Sequence, residues 1–151
     1  MFAIFEGVRN DLRANFDNVR QRISETALRA GRNPEEVKLV SVSKTHPVEV
    51  LREAMAAGIT VFGENKVQEA ESKILEIGCE TAEWHLIGHL QSNKARRAVQ
   101  LFDVIHSVDS VELAKRLERI CIEEGRDALS DRKSTRLNSS HIQKSRMPSS
   151  A

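Results

Sequence analysis

In the stretch VKLVSVSKTH, residues 37–46, an apolar run that reads as a buried strand ends in a lysine, Lys44. Burying an ammonium without a partner is costly, so Lys44 at the end of such a run asks for a chemical reason. Side chains alternate along a strand, which puts Lys44 on the side of Val40 and Val42. At the rim of a packed interior a lysine is partly desolvated, which favours the neutral amine that condenses with aldehydes. The same position also suits a lysine that begins a solvated loop.

Other polar groups end the later apolar runs. Asn65, in FGEN, has an amide that can donate to a phenolate or carbonyl oxygen, or cap the helix that follows. His85, between Trp84 and Leu86, can stack on or hydrogen-bond to a ring, or stand as a satisfied core histidine. His46 and His106 are weaker candidates, because neither has metal-ligand spacing to a neighbour. The basic run NKARR, residues 93–97, reads as a solvated helix face. No Ser-His-Asp order, P-loop or H-E-x-x-H pattern occurs.

The elements that must position these groups follow a simple alternation. Val8, Leu12, Phe16, Val19, Ile23, Ala27 and Ala30 recur every three or four residues, which predicts an amphipathic helix before a Gly31 stop and an Asn33-Pro34 turn. Short β-branched runs at 37–44, 60–65, 82–88 and 103–109 predict strands. Each is followed by a helical pattern, at 47–58, 65–78, 91–102 and 110–125, with Pro47 at one start and Asp109 or Ser110 as the last N-cap. Four successive βα units predict a parallel sheet with right-handed crossovers, as a doubly wound sheet or part of a (β/α)8 barrel. No G-x-G-x-x-G follows the first strand, which weakens dinucleotide binding. In either fold ligands sit at the C-terminal strand ends, where Lys44 and Asn65 fall and towards which His85 leads.

Composition narrows the function classes. The 151 residues carry a formal net charge of +1 and 4% aromatics, which argues against a basic nucleic-acid surface or a polybasic membrane anchor. No apolar run approaches a membrane span, and the N-terminus lacks a signal-peptide pattern. Cys79 and Cys121 stand alone, as suits a reducing cytosol, so a cytoplasmic location is expected. The last 24 residues differ from the rest: seven serines and five Lys or Arg against one Asp give them a net +4 and leave −3 on the preceding part.

Four segments taken together, SVSKT at 41–45, FGENKVQEA at 62–70, EWHLIGHLQSNK at 83–94 and FDVIHSVDS at 102–110, resemble the pyridoxal phosphate homeostasis family, also called the proline synthetase co-transcribed homologue family. The resemblance implies the N-terminal half of a (β/α)8 TIM barrel of alanine-racemase type over residues 1–127. It implies a protein that binds pyridoxal 5′-phosphate as a Schiff base on Lys44, with Asn65 lining the pocket and His85 near it. It implies vitamin B6 homeostasis rather than catalysis, a monomer, and PLP-dependent apoenzymes as possible recipients. A racemase-like PLP enzyme, or a fragment that binds no cofactor, are the competing readings.

The family continues into four further strands with G-M-S and R-I-G motifs that hold the phosphate, and these motifs do not occur here. Residues 128–151 instead resemble translated adapter DNA. The expectation is a disordered tail without evolved function and a natural sequence cut near residue 127.

Overall fold

A computed structural model of the chain describes residues 2–126 and the strand Arg136–Leu137, with side chains from 11 to 126. The apolar spacing of the N-terminal segment produces α1, Phe2–Arg29, whose Leu12 and Phe16 pack against the core. A short turn of 3-10 helix, Pro34–Glu36, follows, with Asn33 accepting the Glu35 N–H. The βα units then run β1 (Ser41–Val42), α2 (Val48–Ala56), β2 (Val61–Glu64), α3 (Val67–Ile77), β3 (Glu83–Leu86), α4 (Ala95–Leu101), β4 (Val104–Ile105) and α5 (Val111–Glu123). Ser110 caps α5 by accepting the Leu113 N–H at 3.2 Å.

The strands are all parallel and lie in chain order, β1-β2-β3-β4-β5, where β5 is Arg136–Leu137. That order decides between the two predicted folds. A doubly wound sheet reverses its winding at a switch point, whereas a barrel adds each strand on the same side of the last. The helices confirm the single direction of winding, since α1 packs on α2, α2 on α3, α3 on α4 and α4 on α5. The described chain is therefore a half-barrel layer. The change of character expected at residues 128–151 lies outside the described residues, apart from β5.

Strand register assigns the two faces. Ser41, Phe62 and Trp84 are in register, and Val42, Gly63, His85 and Val104 form the adjacent row on the opposite face. Phe62 and Trp84 of the first row, with Glu64, Leu86 and Ile105, face the helices and are buried, while Ser41 at the sheet edge is half-buried. Phe62 and Trp84 stack there at 5.4 Å, with Leu51, Ile74, Val99, Phe102 and Leu117 packed in the same core. On the other face Val42 is 51% exposed, because no element of the described chain stands opposite it.

The strands are shorter than the apolar runs predict. The register sets Ser41 opposite Phe62, so residues 37–39 lie beside the loop before β2 and find no ladder partner. Beyond β1 the pairing continues once more, with Ser43 N–H donating to Gly63 O at 3.0 Å.

Gly88 sets how closely two loops approach. A Cβ built there would lie 2.3 Å from the Asn65 carbonyl oxygen and 2.7 Å from its Cα. Backbone cannot move aside as a flexible side chain does. Gly88→Ala is therefore expected to lower stability by at least about 2 kcal/mol, read as a lower urea midpoint at unchanged slope.

Candidate functional site

The sequence candidates converge at the C-terminal ends of β1, β2 and β3. Lys44 follows β1 on the face of Val42, is exposed, and makes no ion pair among the described residues. The expected partial desolvation of Lys44 is not what the structure shows, because the inner face is open on this side. Asn65 lies two residues beyond Gly63 in the neighbouring strand, half-buried. Its side chain makes no hydrogen bond among the described residues, and Lys66 rather than Asn65 occupies the N-cap position of α3. The capping alternative is thereby removed, and the Asn65 amide remains available to a ligand.

His85 sits one layer lower on the same face and is 3% exposed. Both ring nitrogens are engaged: Nε2 with Glu83 Oε1 at 2.9 Å and Nδ1 with His106 Nε2 at 2.9 Å. Glu83 accepts only, so His85 Nε2 carries a proton and His106 donates to His85 Nδ1 when both rings are neutral. Lys38 completes the chain, its Nζ donating to both Glu83 oxygens at 2.7 and 2.8 Å. His85 is thus a satisfied histidine, able to offer a ligand its ring but no free nitrogen. His106, one of the weaker candidates, is drawn into the cluster, while exposed His46 is not. Burial lowers the His85 pKa from its ordinary 6.5, against the pull of Glu83. Burial also opposes ionisation of Glu83, but its bonds to Lys38 and His85 prevail and hold it below 4.5.

A second cluster underlies Lys44 on the helix side, and the sequence reading missed it. Lys73 of α3 is buried, with Nζ donating to Glu64 Oε1 at 2.8 Å, to Ser43 O at 2.9 Å and to Glu69 Oε1 at 3.0 Å. Ser43 Oγ donates to Glu64 Oε1 at 2.6 Å. The available signal was the Glu69–Lys73 pair, four residues apart on one helix face, beneath a strand-final Glu64 that alternation turns towards the helices. The basic run at 93–97 behaves as a helix surface: Arg96 pairs with Glu123 and Glu124, and Arg97 with Glu71.

Comparison with known proteins places the chain in a family. The alanine racemase N-terminal domain family matches residues 9–129. The Escherichia coli K12 pyridoxal phosphate homeostasis protein is 48% identical over 111 residues, covering 72% of this chain and 47% of that protein. The same-named Pseudomonas aeruginosa protein is 48% identical over 103 residues, 68% of this chain and 45% of that one. The chain belongs to the pyridoxal phosphate homeostasis family. Among solved structures, PipY of Synechococcus elongatus without PLP superposes with a TM-score of 0.60 at 52% identity, covering 70% of this chain and 49% of that one. PipY with PLP bound gives 0.59 at 54% identity, with 69% and 50% covered. The chain spans about half the length of the family members it matches. The half-barrel expected from the resemblance is the observed fold, of the alanine-racemase type.

Two measurements test how this family member's site is supported. Lys73→Met leaves the Glu64 carboxylate buried without its cation and is expected to cost about 3–5 kcal/mol in urea denaturation. The double change Glu64→Leu with Lys73→Met is expected to recover most of that loss, since an apolar pair needs no such compensation. The second concerns pH. The unfolded chain protonates His85 near 6.5, while the folded chain resists until lower pH. Its contribution is therefore complete above 6.5 and is lost as pH falls from 6.5 to the folded value. Glu83 adds a loss of the same sign, below 4.5. Stability measured by urea is expected to decline below pH 6.5, with a shallower decline between pH 6.5 and 5 in His85→Gln.

Proposed function

We propose that this chain carries the amine-bearing half of a pyridoxal 5′-phosphate site in a non-catalytic protein of vitamin B6 homeostasis. The observation that carries the reading is Lys44. It is an exposed lysine without an ion-pair partner at a C-terminal strand end, on the inner face, in a chain 54% identical to a protein solved with PLP. When bound, the cofactor supplies an aldehyde that condenses with a primary amine. The residues present suit it: Lys44 supplies the amine, Asn65 an unspent amide for a ring oxygen, and His85 an aromatic surface held by Glu83 and His106. The resemblance puts the phosphate-holding motifs in segments this chain does not contain, so retention here rests on Lys44 and these neighbours.

Against catalysis stands the engagement of both His85 nitrogens, which leaves that ring without a free proton acceptor at the site. No helix of the described residues is long and apolar enough to cross a membrane. A cytoplasmic monomer that passes its cofactor to PLP-dependent apoenzymes is the setting this reading fits.

The test is to mix the 151-residue chain with pyridoxal 5′-phosphate, reduce with borohydride and map modified lysines by mass spectrometry. Selective modification of Lys44, abolished in Lys44→Ala, is expected. Modification spread over surface lysines and unchanged in Lys44→Ala overturns the reading. With PLP and L-alanine supplied together, no D-alanine is expected; racemisation that disappears in Lys44→Ala would establish an enzyme instead.

A further inference from the structure

Lys44 sits in a turn whose backbone is held from below. The turn runs from Ser43 to His46 and is closed by His46 N–H donating to Ser43 O at 3.2 Å. Lys44 is its second residue and Thr45 its third. Thr45 has φ +67°, the one positive value at a non-glycine position among the described residues. Positive φ at the third position is the pattern of a type II turn, where glycine or asparagine is ordinary. For a β-branched residue that conformation is an outlier which needs outside support.

The support comes from α3. The Thr45 N–H donates to Glu69 Oε1 at 2.6 Å. The same oxygen accepts from Lys73 at 3.0 Å, and Lys73 also reaches Ser43 O, the first carbonyl of the turn. One carboxylate and one ammonium thus grip the turn on both sides of Lys44, while the Lys44 side chain makes no ion pair of its own. The Thr45 amide, and after it Lys73, hold the Glu69 carboxyl below its ordinary range, so the charged form makes these bonds at neutral pH.

The geometry points to Glu69 as the positioning residue for Lys44: anchored by Lys73, it holds Thr45 in the left-handed turn that directs the Lys44 amine from the end of β1. The inference rests on the reading that Lys44 takes the aldehyde. It adds that selectivity for Lys44 over other exposed lysines comes from a fixed stem, which removes the orientational freedom other lysines must lose before reaction.

Glu69 lies on a partly exposed helix surface, so Glu69→Ala keeps the buried Glu64–Lys73 pair and a good helix former. The experiment uses the full chain with four variants: Glu69→Ala, Glu69→Gln, Thr45→Gly, and Thr45→Gly with Glu69→Ala. Amide hydrogen exchange at residue 45 and the share of borohydride-trapped pyridoxal phosphate found on Lys44 are both measured. In Glu69→Ala the residue 45 amide is expected to exchange about tenfold faster or more, as for loss of one charge-assisted hydrogen bond, while Leu86 in β3 is unchanged. The share on Lys44 is expected to fall by a similar factor. Glu69→Gln keeps an acceptor oxygen and should fall between. Adding Thr45→Gly, which makes positive φ cheap, should restore part of the lost share. A role limited to balancing the Lys73 charge predicts no such rescue. Faster exchange at residue 45 with an unchanged share on Lys44 overturns the positioning role and leaves the cofactor reading standing. No preference for Lys44 in the unaltered chain overturns both.

Discussion

A buried ammonium, Lys73, joins the ends of β1 and β2 to α3. Its three acceptors belong to three separate pieces of chain: the Ser43 carbonyl after β1, the Glu64 carboxylate ending β2, and Glu69 one turn earlier on the same helix. An ammonium in that position is tolerable only when its hydrogens are all directed to oxygen, and here they are. The cost of leaving any acceptor out of place is high, so the relative position of two strand ends and one helix is sharply defined. Apolar packing alone would allow these elements to slide by fractions of an ångström. The ion cluster converts a generic βα contact into a fixed platform, and the turn carrying Lys44 is built on it.

The platform matters because the two faces of the sheet have opposite chemistry. Among the described residues the helix side is an apolar core around Trp84, Phe62 and Phe102, interrupted where Ser43, Lys73 and Glu64 meet. The inner side carries a polar line, Lys38 to Glu83 to His85 to His106, running from the segment before β1 through β3 to the residue after β4. Gly63 lets the Val40 and Ile87 side chains close over its strand, since a Cβ there would come within 3.0 and 3.1 Å of them. Charges along the inner face are neutralised in sequence, anion between cations and hydrogen-bonded rings. Lys44 stands above that line without joining it.

Much of this was legible in the sequence. The alternation of β-branched runs with helical periods showed the βα order, and the strand ends located Lys44, Asn65 and His85 before any coordinates. The choice between barrel and doubly wound sheet was not legible from periodicity, because both folds have the same local units. Strand order decides it, and strand order is a long-range property; only the resemblance anticipated it. The lengths of β1 and β4 were also overstated, since a ladder needs a neighbour and composition reports only a preference. The Lys73 cluster escaped because each of its members looks ordinary alone. A Lys on a helix, a Glu at a strand end and a Glu at four residues' spacing are common, and only their superposition on one side of β2 buries them.

The two lysines on either side of this strand end stand in contrast. Lys73 is buried and spends all its donors on fixed oxygens, so its amine is committed to structure. Lys44 is exposed and spends none on an ion pair, while the peptide groups on both sides of it are bound to the Lys73 cluster. The sequence reading attributed reactivity at Lys44 to desolvation. The structure shows Lys44 exposed instead, on a turn whose flanking peptide groups are both hydrogen-bonded. The backbone is held by the ion pair below, and no carboxylate among the described residues forms an ion pair with the nitrogen. Glu83, on the same face, is already held by Lys38 and His85. The Glu64, Glu69 and Lys73 charges beneath the turn are paired with one another, and the Lys44 amine makes no ion pair among the described residues.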